Sequence, residues 1–243
     1  MNDLAKHEVG DLIGRLTADD LDRGERGNLL LALSRALGAG ARAAGARAAL
    51  SGRWLADLVD EQIAPHVPVR DLLTLRDHHA GLSGDDLAQA LIKNASLTTA
   101  SIGAAVGALT AAELVAPPTL LAAPVQLAAE TLAVIAVELK LVAELHVVYG
   151  KAPIGSRAQL AVGYLTSWAG KRALDGTGGA PSLSTVLSTA AKQQLRQRVV
   201  KRLRRNLTSL APFLAGAIAG AELNRRETRS LGEALMRDLH PRR

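Results

Sequence analysis

The chain has 243 residues, of which 48% are hydrophobic and only 2% aromatic, and it contains no cysteine. Its length allows a substantial hydrophobic core, and the absence of cysteine excludes a disulfide scaffold, a thiolate metal site and a cysteine nucleophile. The net charge of +6 is unevenly distributed, since residues 192–243 carry 13 basic and four acidic side chains. A polyanionic partner is therefore expected to bind near the C-terminal end.

The first ninety residues predict short helices separated by glycine and proline. Asp19-Asp20 is expected to open a helix that ends at Gly38 and Gly40, and a second helix is expected over residues 41–63. Ser83 is expected to cap a further helix. Alanine and leucine supply most of the apolar content, which favours helix over strand, and no run of alternating β-branched residues occurs. The predicted fold class is therefore all-α, a helical bundle.

The centre of the chain is its most apolar part. Residues 95–117 carry one charged side chain, Glu113, and a second apolar stretch runs from Pro118 to Gly150. Length alone would allow two membrane spans joined by a turn. Insertion of the first segment is marginal, because its strong apolar residues contribute about −2 to −4 kcal/mol and a central carboxylate costs about 2.5 to 3.5 kcal/mol. A hairpin over residues 95–150 is predicted, either embedded in a bilayer or outside it.

The second half of this hairpin has a polar stripe. At 100° per residue its polar and charged side chains fall within one arc of about 160°, and they are Gln126, Glu130, Glu138, Lys140 and Glu144. Leucine, isoleucine and valine occupy the opposite face. The pattern predicts a long amphipathic helix that belongs either in a bundle core or in the membrane interface.

Two pairs of glycines indicate close helix packing. Each pair is spaced four residues apart, Gly103 with Gly107 and Gly216 with Gly220. Glycines at this spacing expose a strip of backbone against which another helix can pack closely. The pairs are expected in either an alanine-rich bundle or a membrane-associated helix pair.

A basic segment precedes the second glycine pair. Residues 192–206 contain seven cations and no acid. On a helical wheel its apolar residues gather on one side and the following basic residues on the other: Arg198, Lys201, Arg202, Arg204 and Arg205. Such a helix is attracted to anionic lipid headgroups, at about 1 kcal/mol per cation. A solvated face or a site for an acidic protein partner is the alternative, and nucleic acid is disfavoured because no aromatic residue is interleaved for base stacking.

No catalytic or metal-binding motif accompanies these features. His78 and His79 are adjacent and would diverge by about 100° on a helix, so they do not have the spacing of metal ligands. His146 is expected to be a hydrogen-bonded core histidine. Glu113 and Glu130 lie among apolar residues and are candidate buried carboxylates, for which hydrogen bonding within a bundle is commoner than catalysis. We predict no catalytic residue, cofactor or metal.

Several of these motifs occur in an order that resembles the EcsC-like family. A Gly-rich segment, Thr-Ala-Ser-Ile-Gly-Ala-Ala-Val-Gly at 99–107, is followed by a helix that ends in Tyr149-Gly150. Residues 210–220 then run into Asn224 and Thr228. The resemblance implies a bacterial, membrane-associated helical protein without demonstrated catalysis.

The resemblance covers roughly residues 95–240 and has one departure. The family usually carries an Asp-x-Pro-like signature in its central segment, whereas Glu113 and Pro117-Pro118 stand nearby in this chain. No role of that aspartate is therefore carried over. Residues 1–94 are predicted to form an N-terminal helical region, and residues 95–243 an EcsC-like apolar helical domain with a basic C-terminal part.

The predicted function is that of a non-catalytic accessory or scaffold protein, held to anionic lipid by its basic amphipathic helix. The N-terminus has acids among its apolar residues and lacks the apolar core of a signal peptide. We therefore expect the protein on the cytoplasmic side of the cell membrane, peripheral or embedded through its hairpin. The alternative is a soluble helical bundle that acts as a protein–protein interaction module.

Overall fold

The computed structural model describes residues 3–44, 58–113, 122–152, 163–164, 168 and 213–240. Six α-helices occur in this part of the chain: α1 (Asp3–Leu16), α2 (Arg23–Ala44), α3 (Leu72–His78), α4 (Gly84–Glu113), α5 (Ala122–Val148) and α6 (Phe213–Leu239). A π-helical turn, Val59–Ile63, and a 3-10 turn, Ala64–His66, precede α3. The helices pack on one another around a shared hydrophobic core. The prediction of an all-α helical bundle is confirmed.

Local capping explains where α2 begins. The Asp22 carboxylate accepts a hydrogen bond from the backbone N–H of Glu25 at 2.8 Å, and the Glu25 carboxylate accepts one from the N–H of Asp22 at 3.3 Å. This reciprocal arrangement is a capping box. The helix therefore starts after Asp22, and the predicted start at Asp19 was wrong.

Tertiary packing decides where α2 ends. The helix continues through Gly38 and Gly40 to Ala44, so the predicted end at these two glycines was wrong. Gly38 faces Val125 of α5, and packing against α5 outweighs the low helix propensity of one glycine, about 1 kcal/mol. Of the helix predicted over 41–63, residues 45–57 lie outside the described part, and its last residues form the π-helical turn.

The helix α4 is continuous over 30 residues. It begins at Gly84, directly after the predicted cap residue Ser83, and it ends at Glu113. The predicted domain boundary between residues 94 and 95 falls in the middle of this helix, because the change from polar to apolar composition there includes no residue that breaks a helix. Residues on both sides of the boundary contribute to the same core.

The helix α5 is the central element of the bundle. Every residue from 129 to 145 is buried, and α5 contacts α1, α2, α4 and α6. Its polar stripe therefore lies in the bundle core, one of the two placements that the sequence left open. Among the helices that the structure describes, none combines the length and apolar character needed to cross a bilayer.

The helices α4 and α6 run antiparallel and approach each other closely at Gly103. A Cβ atom on Gly103 would lie 3.1 Å from the backbone N and Cα of Ala221 and 2.8 Å from Nδ2 of Asn224. Near the other end of the pair, Ile92 packs on Gly232. A Cβ contact of 3.1 Å with backbone atoms is tighter than nine in ten real Cβ contacts, so a larger residue at position 103 would push the two helices apart locally.

The four glycines that we predicted for helix packing have different surroundings. Gly103 makes the close approach, but its neighbour is Ala221. Among the described residues, no other helix comes within 4 Å of where a Cβ of Gly220 would be. The pairing of Gly220 with another helix is therefore not seen in this part of the chain. Gly107 is half-buried in α4, and for Gly216 the structure describes only its place in α6.

The contrast between Gly103 and Gly220 gives a matched test of this packing. We expect Gly103→Ala to lower the free energy of unfolding by about 1–2 kcal/mol, because the new methyl group meets backbone atoms that cannot move easily. We expect Gly220→Ala to raise it by up to about 1 kcal/mol through helix propensity. Urea denaturation measures both, and a destabilisation of the same size in the two variants would contradict the close approach at Gly103.

Candidate functional site

Four charged side chains of α5 are buried in the bundle. Glu130, Glu138, Lys140 and Glu144 expose 5%, 0%, 7% and 2% of their surface. Burying an unpaired charge costs several kcal/mol, so such groups are nearly always paired or hydrogen-bonded. Each of the four is bound by a residue from another element, in three separate polar clusters.

The first cluster, named here the ion cluster, joins Lys140 and Glu144 to Asp19 and Arg70. The Arg70 guanidinium binds the Glu144 carboxylate through two hydrogen bonds, Nε to Oε1 at 2.7 Å and Nη2 to Oε2 at 2.8 Å. Its Nη1 also donates to Oδ2 of Asp19 at 2.6 Å. Lys140 Nζ donates to Oδ1 of Asp19 at 3.2 Å and lies 4.0 Å from Glu144. Two cations and two carboxylates thus form one connected network.

Loops and helix ends hold the partners of the ion cluster in place. Lys140 also donates to the backbone carbonyl of Thr17 at 3.0 Å, just after the C-terminus of α1, where a cation is favoured by the helix dipole. Arg70 directly precedes Asp71, which caps α3 by accepting a hydrogen bond from the N–H of Thr74 at 2.8 Å. That hydrogen bond lowers the pKa of Asp71. The ion cluster therefore connects α1, α3 and α5.

The protonation of Arg70 is secured by its partners. Burial disfavours the charged guanidinium, but the hydrogen bonds and charges of Glu144 and Asp19 outweigh burial, so the pKa of Arg70 is raised. The cleft beside the cluster, which Asn94 also lines, has a volume of about 10 Å³. That is room for about one water molecule. The side chains of the cluster therefore contact one another and the ends of helices around a cleft of this size.

The second cluster, named here the amide cluster, lies where α4, α5 and α6 meet. Asn224 Nδ2 donates to Oε1 of Glu130 at 2.9 Å and to the carbonyl of Thr99 at 3.3 Å. The Thr99 hydroxyl in turn lies 3.3 Å from the carbonyl of Asn224. Asn224 is also the residue that Gly103 approaches. Close packing of α4 on α6 thus brings the amide to the buried carboxylate of α5.

The third cluster, named here the Glu138 cluster, connects α5 with α6 and with Trp168. Trp168 Nε1 donates to Oε2 of Glu138 at 2.9 Å, and Thr228 Oγ1 donates to Oε1 at 3.1 Å. Trp168 is 1% exposed, and Glu138 and Thr228 are fully buried. One buried carboxylate therefore binds two other parts of the chain.

His146 lies near the C-terminal end of α5 and contacts Tyr164. His146 Nδ1 lies 2.7 Å from the carbonyl of Val142, and its ring meets that of Tyr164 edge-on at 5.6 Å. Burial lowers the pKa of His146. The histidine is hydrogen-bonded and partly buried, in agreement with the prediction.

Tyr149 and Gly150, the motif at the end of α5, have separate roles. Gly150 has φ of 62°, and the N–H of Lys151 reaches back to the carbonyl of His146 at 2.8 Å, so the helix ends in a Schellman motif. The Tyr149 hydroxyl donates to Oδ1 of Asp85 at 2.8 Å. Burial and this carboxylate raise the pKa of Tyr149. The motif therefore fixes the end of α5 against the first turn of α4.

The structure describes only some of the predicted site residues. The five basic residues Arg198, Lys201, Arg202, Arg204 and Arg205 lie outside the described part. Glu113 is the last residue of α4, and its side chain is also outside the described part of the chain. Glu130 is buried, as the sequence predicted, and is bound by Asn224. The residues in the described ranges contain no group of three metal-ligating side chains.

Sequence reasoning found the polar stripe of α5 but not its partners. The stripe includes Glu138, Lys140 and Glu144, whereas Asp19, Arg70 and Trp168 were not predicted to bind it. Arg70 is 74 residues from Glu144 in the chain, and no local periodicity connects the two. The only usable signal was indirect: charges on a buried helix require partners of opposite charge elsewhere.

No protein-family model, curated protein or solved structure matches the chain. The resemblance to the EcsC-like family therefore stays a prediction.

Removing Arg70 tests the ion cluster. Arg70→Met keeps the apolar stem but leaves the buried Glu144 carboxylate without its two hydrogen bonds, so we expect the free energy of unfolding to fall by about 3 kcal/mol. The control is Arg229→Met, which breaks an exposed ion pair with Glu233 and should cost less than about 1 kcal/mol. Urea denaturation compares them, and equal losses would show that the buried pair contributes no more than a surface pair.

Proposed function

We propose that this protein is a non-catalytic helical scaffold or accessory protein that binds the surface of an anionic membrane through its basic segment, residues 192–206. The observation that carries the proposal is the charge of that segment, seven cations and no acid in 15 residues. Near an anionic surface each cation contributes about 1 kcal/mol, an attraction that falls with increasing salt.

The pairing of charges on α6 supports the choice of this segment over the rest of the basic C-terminal region. Glu222 binds Arg225 at 2.7 Å and Arg226 at 2.6 Å, and Arg229 binds Glu233 at 3.0 Å. The two arginines lower the pKa of Glu222 to about 2. These arginines have acidic partners about one helical turn away, whereas the sequence 192–206 contains no acid.

The buried contacts of α5 support peripheral membrane binding rather than insertion of the hairpin over residues 95–150. To enter the membrane interface, α5 would have to give up the contacts of Glu144 with Arg70 and of Glu138 with Trp168 and Thr228. Each such loss removes hydrogen-bond partners from a buried charge, at a cost of several kcal/mol. In this account the bundle stays folded as a unit while the basic segment contacts lipid.

Charge reversal in the basic segment tests the proposal. Replacing Arg202, Arg204 and Arg205 together by Glu removes three attractive charges, so affinity for vesicles of phosphatidylcholine and phosphatidylserine should fall by at least about 100-fold. The matched control replaces Arg15, Arg35 and Arg76 by Glu. These arginines are exposed on α1, α2 and α3, and their replacement changes the net charge by the same amount.

Vesicle sedimentation measures both variants and the wild-type protein. We expect the control to retain at least about a tenth of the wild-type affinity, since it leaves all seven cations of the segment in place. An equal loss in both triple variants would mean that net charge, and not this segment, governs binding. Absence of wild-type binding to anionic vesicles would contradict the membrane proposal itself.

An interaction module for a protein partner is the second candidate. Leu73 on α3 and Ile218 on α6 are large apolar side chains that expose 78% and 74% of their surface. Exposed apolar side chains of this size occur at protein contacts as well as singly on ordinary surfaces. This function would be preferred if the protein ignored anionic vesicles but bound an acidic polypeptide such as polyglutamate through residues 192–206.

A further inference from the structure

The segment between the 3-10 turn and α4, residues 67–83, lies at the surface of the bundle and is named here the strap. It contains α3, and the structure describes all of its residues. Leu75 is the one buried side chain among residues 67–83, whereas Leu73 exposes 78% of its surface. On α5, by contrast, every residue from 129 to 145 is buried. Only a small part of the strap is therefore packed against the rest of the protein.

Polar contacts near its two ends connect the strap to other helices. Near the start, Arg70 binds Asp19 at 2.6 Å and makes two hydrogen bonds to Glu144 of α5. Near the end, Nε2 of His79 lies 3.3 Å from Nδ2 of Asn94 in α4. Glu144 and Asn94 line the same cleft. The strap thus crosses from α5 to α4 beside that cleft.

Other hydrogen bonds of the strap are internal. Asp71 caps α3 by accepting from the N–H of Thr74 at 2.8 Å, and the N–H of Gly81 donates to the carbonyl of Arg76 at 2.8 Å. These bonds do not depend on where the strap lies relative to α4 and α5. The strap can therefore move as a unit without losing them.

The backbone at the end of the strap has the conformation of a hinge. Ala80, Gly81 and Gly84 have φ of 51°, 79° and 54°, in the left-handed region that side chains other than glycine rarely adopt. Hinges are formed by a few loop or element-terminal residues that absorb a large change of backbone angles. The transition from the strap to α4 is such a place.

Lys140 reduces the cost of separating Arg70 from the bundle. Its Nζ lies 4.0 Å from Oε1 of Glu144, one turn away on α5, and 3.2 Å from Oδ1 of Asp19. Both carboxylates therefore keep a cation beside them if Arg70 moves away with the strap. Removal of Arg70 still costs its hydrogen bonds to Glu144, but it leaves no carboxylate without a counter-charge.

We propose that the strap opens as a unit while the bundle beneath it stays folded, and that Arg70 is its latch. Local openings of this kind occur in segments with few buried apolar contacts. Opening exposes Leu75 and widens the cleft between α4 and α5, whose volume is about 10 Å³ in the closed form. A ligand that binds only the uncovered face would shift the protein toward the open form. The strap is thus a conformational switch built into the fold.

Two buried leucines provide a matched pair of probes for this opening. The chain has no cysteine, so Leu75→Cys in the strap and Leu132→Cys in α5 each place one thiol at a fully buried position. The thiol reacts with a water-soluble maleimide only when its position opens. At reagent concentrations where the rate is proportional to concentration, the rate measures the population of the open form. Circular dichroism establishes that both variants are folded.

A substitution away from the strap decides whether the strap opens alone. Gly103→Ala weakens the contact between α4 and α6, which the open form retains. It should accelerate labelling at position 132 by about five- to thirtyfold and change labelling at position 75 by less than about twofold. Labelling at position 75 should also rise less steeply with urea, because opening the strap exposes less surface than global unfolding.

Substitutions of Arg70 test the latch. Arg70→Met should accelerate labelling at position 75 by at least about tenfold, because the closed form loses the pairing with Glu144. Arg70→Lys keeps the charge but not the two parallel hydrogen bonds, so its effect should be smaller, and it supplies the comparison if Arg70→Met does not fold.

Two outcomes would overturn the proposal. If Gly103→Ala accelerates labelling at position 75 as much as at position 132, Leu75 is exposed only by global unfolding and the strap does not open alone. If neither Arg70 variant changes labelling at position 75, Arg70 is not the latch.

Discussion

The buried charges of α5 are the constraint on which the rest of this bundle depends. Glu130, Glu138, Lys140 and Glu144 can be buried only if other elements bring partners to them. Those partners come from α6, from Trp168, and from the segments around α1 and α3. Breaking a buried pair is costly, whereas its net contribution to stability is modest. The charges therefore specify where each element sits on α5 more than they add to stability.

Close packing and polar pairing support each other where α4, α5 and α6 meet. Gly103 allows α6 to approach α4 at Ala221, and the same approach brings Asn224 to Glu130. A larger residue at 103 would move both the apolar contact and the hydrogen bond. Further along the same face of α5, the ion cluster joins segments that lie far apart in the chain. The two contacts together fix the position of α5 within the bundle at two points along its length.

The sequence predicted the features that depend on composition and local periodicity. Alanine and leucine indicated helices, and the wheel placed Glu138, Lys140 and Glu144 on one face. The sequence could not show that Arg70 and Trp168 contact this face, because those contacts depend on tertiary structure. The start of α2 was missed because Asp22 and Glu25 form the capping box. The predicted boundary at 94 and 95 followed a change in polarity that α4 spans without a break.

Thiol labelling tests most directly whether α5 stays in the bundle core when the protein meets a membrane. The chain has no cysteine, so Ala136→Cys, at a fully buried position of α5, and Ala104→Cys, at an exposed position of α4, each carry one thiol. The rates of reaction with water-soluble and lipid-soluble maleimides are measured with and without anionic vesicles. The account predicts that position 136 is protected from both reagents in both conditions, while position 104 reacts rapidly in buffer. Loss of protection at position 136 when vesicles are added would contradict it.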